Sequence, residues 1–225
     1  MILRSNLPRL VETARTAPRV LDVGGWHNPF GPATHVIDLG AYATRRREEA
    51  LTPGEAERFT AETWAVHDVC LTPWPYPDRF FDFAICSHLL EDVRDPLPVC
   101  RELMRVAKRG YVEVPSRARE IDAKARFFRL RSALGAIPEI GFYHHRWLCE
   151  IDGKHIRFFR KTHQLAMNRD FFIRRAELGR KMIEAESGTC LWWDGAFTAE
   201  EVFDLSDDDL RDFKVRTLAA LKPRR

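Results

Sequence analysis

Two aspartates stand near the ends of two short apolar runs, Asp22 inside VLDVGG and Asp38 closing HVIDLG, with Gly24 and Gly25 between them. Carboxylates at strand ends accept hydrogen bonds from hydroxyl and amino groups, and a glycine lets a ligand approach the backbone without meeting a Cβ. Further along, WAVHDVC adds Asp68 with Val69 beside it, and FFDFAICSH ends on Ser87 and His88, a hydroxyl and a titratable ring. A histidine with an ordinary pKa of about 6.5 suits general-base work at neutral pH. His144 and His145, in GFYHHRW, are second candidates for that duty or for substrate contact. No third ligand lies beside them at a recognisable spacing, so no metal site is expected.

These residues need a scaffold that brings them to one edge. The spacing predicts a short helix over residues 7–16, then strands over Val20 to Val23, His35 to Leu39, Trp64 to Cys70, Phe80 to Ser87 and Tyr111 to Val114. Only about a dozen residues separate the first two strands, too few for a full crossover helix. Two helical pieces are expected between Tyr42 and Glu62, and a helix over Leu97 to Val106 that stops at a basic turn before Gly110. The fold class is therefore α/β, a Rossmann-like mostly parallel sheet with helices on both faces. In such sheets ligands bind beyond the carboxyl ends of the strands, where Gly24, Gly25, Asp38, Asp68, Ser87, His88 and Glu113 to Ser116 fall; His144 and His145 come from the segment after the fifth strand.

Beyond Pro115 the pattern changes. A basic amphipathic helix is expected from Ser116 to Leu134, a hairpin around Asp152-Gly153, a helix over about Arg169 to Glu186, a second hairpin around Asp194-Gly195 and a capped helix after Ser206. In the first hairpin Trp147 would face Phe158, Cys149 Ile156 and Glu150 His155. That hairpin is the expected antiparallel completion of the sheet; the alternative is the second, with the first as a lid. Residues 1–160 are expected to form the core and residues 161–225 an extension packed on it, covering an acceptor site.

Composition narrows the class. The chain has 225 residues, 45% hydrophobic and 31% charged, with a net charge of +3. That is the profile of a globular protein, with no apolar run of bilayer-spanning length and no signal-peptide pattern at MILRSNLPRL, so a cytoplasmic protein is expected. The small net charge argues against bulk nucleic-acid binding. Five scattered cysteines with no C-x-x-C pair suggest small buried hydrophobes rather than a disulfide or zinc framework.

Taken in order, VLDVGG, HVIDLG, VHDVC, FDFAICSHLLEDV and ELMRVAKRGYVEVPS resemble the class I S-adenosylmethionine-dependent methyltransferases of the small-molecule type, over roughly residues 19 to 116. The resemblance implies S-adenosylmethionine as cofactor and a small, possibly sugar-like or natural-product acceptor. It implies Asp38 as the ribose-binding acid, Asp68 with Val69 on the adenine side, and Asp22, Gly24, Gly25 and Ser87 around the amino-acid end. Trp26 and Asn28 replace glycines common in the family, and with His27 they are expected to wall that pocket. His88, beside the expected methyl position, is the first candidate for general base. A plainer reading has it hydrogen-bonded to Glu91 or Asp92, and Asp68 as only a turn acid. Two rival functions remain: an RNA or protein methyltransferase docking through the arginine-rich helix, and a non-catalytic module that keeps the cofactor for partner recognition.

Overall fold

The structure is a computed structural model that describes residues 2–45, 52, 54–122, 141–142, 144–162, 171–173, 175–178, 180–203 and 206–221. Its centre is a six-stranded sheet of β1 (Val20–Val23), β2 (His35–Asp38), β3 (Trp64–Val66), β4 (Phe83–Ser87), β5 (Arg109–Pro115) and β8 (Gly188–Asp194), in the order β3-β2-β1-β4-β5-β8. The first five strands run parallel and β8 antiparallel. Every residue of β1 is buried, as a strand covered on both faces requires.

Strand alternation sorts the side chains between two layers. Val20, Val36, Phe83, Ile85 and Tyr111 pack under α1 (Leu7–Thr16), which buries Leu10 and Ala14. Leu21, Val23, Ile37, Ala84, Cys86 and Val112 face the other way, against Val99, Leu103 and Val106 of α2 (Pro96–Val106). Asp95 caps α2, its side chain accepting from the Leu97 N–H. By the same alternation Asp22, Ser87 and Glu113 all point to the α1 side; Asp22 pairs with Ile85, and Ser87 with Glu113.

A second sheet, β6 (Trp147–Asp152), β7 (His155–Arg160) and β9 (Thr198–Val202), packs Trp147, Cys149, Ile156 and Phe158 onto the α2 layer. Its other face buries Leu148 and Phe159 under Leu210 and Phe213 of the C-terminal helix α5 (Asp207–Leu221). That helix has the expected cap: Asp209 N–H donates to Ser206 Oγ at 3.2 Å and Ser206 N–H to Asp209 Oδ2 at 2.9 Å. Buried Glu150 ties the layers, facing Arg117 of α3 (Arg117–Glu120), Arg157 of β7 at 2.6 Å and Arg216 of α5 at 3.1 Å.

Several expectations need correction. The hairpin at residues 147–160 forms but does not complete the main sheet; β8 does, so the sheet draws its last strand from beyond residue 160. The entry to β6 is anchored elsewhere, since the N–H groups of Arg146 and Trp147 both donate to the Glu91 carbonyl, at 2.7 and 3.1 Å. The second hairpin splits, β8 going to β5 and β9 to β7. In the first hairpin Cys149 pairs with Phe158 and Asp152 with His155, a two-residue shift from the expected register. Gly153, at φ +57°, opens the turn rather than closing it, and an even shift leaves every side chain on its expected face.

Among the described residues from Tyr42 to Glu62 there is a 3-10 turn, Tyr42–Thr44, and no helix from residue 55 onward; residues 46–51 and 53 lie outside the described residues. Tertiary bonds override local propensity there: Gly31 N–H donates to Thr52 Oγ1 at 3.2 Å, and the Arg58 guanidinium to the Ala14 carbonyl at 2.7 Å. The third strand stops at Val66, which puts Asp68 in a turn. The helices expected over Ser116 to Leu134 and about Arg169 to Glu186 appear as α3 and as α4 (Arg175–Leu178) with a 3-10 turn at Glu184–Glu186, and residues 171–173 and 180–183 are not helical. Residues 123–134 and 169–170 of those two expectations lie outside the described residues.

Closure by β8 depends on a missing side chain. A Cβ on Gly110 would lie 2.4 Å from the Ala84 carbonyl oxygen and 2.7 Å from the Trp193 ring. Gly110→Ala should therefore destabilise the protein by about 1–3 kcal/mol in urea unfolding, the usual cost of overpacking. An unchanged midpoint would mean that β8 is not on that edge.

Candidate active site

The site forms where β1 and β4 end, at the switch point of the sheet: the chain leaves β1 for β2 on one side and returns to β4 on the other. Asp22 is buried, and its Oδ2 accepts the Phe30 N–H at 2.8 Å. Burial raises its carboxyl to about 7, against the Phe30 hydrogen bond, which pulls it down. Gly25 is needed for this placement, since a Cβ there would lie 2.3 Å from Asp22 Oδ2. Gly24 has φ +83° and packs against Leu89, so its lack of a side chain serves the turn and the loop after β4.

Asp38 is half-buried, and burial raises its carboxyl too, opposed by backbone hydrogen bonds. Its Oδ1 accepts from Gly40 at 2.7 Å and its Oδ2 from Trp26 at 3.0 Å. Trp26 lies against Gly40, where a Cβ would fall 2.1 Å from the indole, and its Nε1 donates to Thr44 Oγ1 at 2.9 Å. Asp68 is committed to its own turn: Oδ1 accepts the Cys70 N–H at 2.9 Å and Oδ2 pairs with Arg94. Although slight burial works the other way, those bonds hold Asp68 below its ordinary range. Val69 is in the core, its carbonyl accepting from Trp74 Nε1.

Two cavities open here. The smaller, about 180 Å³, is lined by Asp22, Gly24, Gly25, His27, Asn28 and Ser87, among others. Ser87 Oγ is buried without a hydrogen-bond partner. The larger, about 510 Å³, is lined by Glu91, Asp92, Glu113, His144 and His145, among others. Ile2 and His88 line both. Thus Asp22, Gly24, Gly25, Ser87 and His88 come together, and His144 and His145 meet His88 across the larger cavity. Asp38, Asp68 and Val69 line neither.

His88 has the Glu91 contact that the plainer sequence reading gave it, and Glu113 besides. Its Nε2 lies 3.1 Å from Glu113 Oε1 and its Nδ1 3.2 Å from Glu91 Oε1. Burial works against the imidazolium, but the two carboxylates outweigh it and raise its pKa. The residue holds φ +53°, uncommon for a side chain this bulky, with its N–H bonded to the Glu113 carbonyl at 2.8 Å. Glu113 also takes the Leu3 N–H on both oxygens, at 3.0 and 3.1 Å, and the Tyr111 hydroxyl.

The sequence reading put Glu113 at the end of the fifth strand, in the apolar run YVEVP, without giving it a partner or a role. Glu91 and Asp92 were visible only as neighbours of His88. Ile2 and Leu3 gave no signal, because an N-terminal segment that crosses the sheet edge has no local pattern of its own. Asp92 joins His144 and His145 only through the fold.

No curated protein matches the chain. Among solved structures it resembles an S-adenosylmethionine-dependent methyltransferase from Mesorhizobium loti, at 14% identity over 70% of this chain and 64% of that one, with a TM-score of 0.36. A SAM-dependent methyltransferase structure from Methanosarcina mazei aligns at 17% identity, 56% and 64% coverage and a TM-score of 0.33. The YcgJ protein of Bacillus subtilis aligns at 21% identity, 50% and 51% coverage and a TM-score of 0.32. The chain spans about half the length of the first solved structures it matches. Family assignment rests on the sequence model for a methyltransferase domain, which matches residues 2–171, from the N-terminal segment through all the strands that carry the site. The chain belongs to this methyltransferase domain family.

Proposed function

We propose that the chain binds S-adenosylmethionine across the ends of β1 and β4 and transfers its methyl group to a small-molecule acceptor in the larger cavity. The supporting observation is the meeting of two unlike cavities at His88 and Ile2, on the switch point of the sheet. Ser87 Oγ, buried and unpartnered, is a hydroxyl in search of a ligand. Asp22, uncharged or charged with equal ease near neutrality, gains a reason to ionise when a cationic amino group approaches. Each Asp38 oxygen already accepts one backbone N–H and keeps lone-pair capacity for ribose hydroxyls. Asp68 and Val69 have no role in this reading, since the one pairs with Arg94 and the other packs in the core.

S-adenosylmethionine supplies an electrophilic methyl on a sulfonium, so transfer requires alignment more than acid–base assistance. Alignment is what these residues offer. His88, held on both nitrogens, is a fixed partition between the two cavities. Ile2, pinned by the Leu3 N–H on Glu113, excludes water over the partition. His144 and His145 stand on the acceptor side. A volume near 510 Å³ suits a small-molecule site, which typically spans roughly 300–1,000 Å³. Among the described residues no helix is long and apolar enough to cross a membrane.

Calorimetry with S-adenosylmethionine and S-adenosylhomocysteine tests the cofactor site. Wild type should bind both, Ser87→Ala should weaken binding by about 3- to 10-fold, the worth of one hydrogen bond, and Asp38→Ala should lose it or nearly so. Absence of binding to the wild type would overturn the reading.

Asp22 gives a second test. Its carboxyl is partly protonated near pH 7 when the site is empty, and a nearby cation favours the ionised form. Binding should therefore release a proton below about pH 7, and affinity should rise with pH up to that point and then level off. Titrations in buffers of different ionisation enthalpy measure the release, which Asp22→Asn should abolish. Proton uptake instead of release would contradict the placement of the cation.

A further inference from the structure

Three ligating side chains converge on the wall of the larger cavity, away from the cofactor cleft. Asp92 lies in the loop after β4, and His144 and His145 precede β6. One ligand atom from each lies within 4.8 Å of the other two. The approach is fixed by backbone and side-chain bonds on both flanks of Asp92. The Glu91 carbonyl accepts the N–H groups of Arg146 and Trp147, at 2.7 and 3.1 Å, and the Val93 carbonyl accepts Trp147 Nε1 at 2.8 Å.

The orientation of His145 is also set. Its Nδ1 bonds to Glu120, a carboxylate only 1% exposed. The other Glu120 oxygen takes Lys161 Nζ at 2.9 Å, and Lys161 also donates to the Phe142 carbonyl at 2.8 Å. Lys161 faces the other Glu120 oxygen, and the His145 tautomer that donates Nδ1–H to Glu120 leaves the Nε2 lone pair to ligate. That Nε2 stands 4.0 Å from Asp92 Oδ1. Such a gap is too long for a hydrogen bond, but two donors each about 2.0–2.2 Å from one ion sit roughly 3–4 Å apart. Metal-binding histidines characteristically give their other ring nitrogen to a carboxylate, as His145 does to Glu120.

We propose that Asp92, His144 and His145 form a binding site for a divalent transition-metal ion, with Glu120 as the positioning residue for His145. Two imidazoles and one carboxylate favour zinc-like ions over magnesium or calcium, which prefer all-oxygen sites. Three protein ligands leave a coordination position open, and all three line the cavity assigned to the acceptor. An acceptor hydroxyl bound there would have its pKa lowered and would lose its proton to solvent, a task closed to the doubly paired His88. That role rests on the proposed methyl transfer; binding of the ion does not.

The full chain, stripped with a chelator, is titrated with Zn²⁺ alone by calorimetry, and S-adenosylhomocysteine is titrated on the same samples. Wild type should bind one ion per chain. Asp92→Asn and His144→Ala, both at exposed positions, should weaken binding by about 10-fold or more without changing the circular dichroism or the S-adenosylhomocysteine affinity. Glu120→Gln should weaken it to a lesser degree, and His67→Ala, away from the cavity, should leave it unchanged. Failure of the wild type to bind Zn²⁺, or equal affinity in wild type, Asp92→Asn and His144→Ala, would overturn the site. Zinc binding without S-adenosylhomocysteine binding would remove the methyl-transfer role and leave the metal site standing; the reverse result would remove the metal site alone.

Discussion

The structure turns on one imidazole held between two buried carboxylates. Glu113 and Glu91 are each only 1% exposed, and a buried carboxylate is costly unless it is paired. His88 faces both. Removing one partner from such an arrangement leaves an uncompensated buried charge, at a cost on the order of 3–5 kcal/mol. Through Glu113 the clamp reaches the N-terminal segment and Tyr111; through the Glu91 backbone it reaches β6 and the second sheet. The end of β4, the N-terminus and the hairpin layer therefore meet at one electrostatic joint. The positive φ of His88 is the local conformational cost of that position.

This joint also explains the shape of the site. At the end of β2, Trp26 folds onto Gly40 beside Asp38. The smaller cavity follows the ends of β1 and β4 to His88, and the larger continues past it along Glu91, Asp92, His144 and His145. On one side are groups suited to an amino acid and a nucleoside, Asp22 and Ser87. On the other are imidazoles and carboxylates. Glu91 stands at that wall, 3.2 Å from His88 Nδ1.

The parallel core was legible because its signals are local. VLDV and FAICS read as strands buried on both faces, PLPVCRELMRV as an amphipathic helix, and the covered edges follow from the period of each. Asp22, Gly24, Gly25, Ser87 and His88 could be placed at one edge because strand ends in a parallel sheet share an edge. What failed was decided at long range. The identity of the sixth strand depends on Gly110 lacking a Cβ opposite Trp193, and the non-helical path of residues 55–62 depends on Arg58 reaching Ala14. For His88 the Glu91 partner was within reach of the sequence, three residues on, whereas Glu113 sits one strand away and meets it only through the sheet. His144 and His145 lacked a third ligand in sequence because Asp92 comes from the loop after β4, pulled in by the chain leading to β6.

The clamp is tested most directly by ¹⁵N NMR of the His88 imidazole as a function of pH. The account predicts that the ring titrates above its ordinary value of 6.5, because Glu113 and Glu91 face its two nitrogens. A His88 that titrates at or below 6.5 would contradict it.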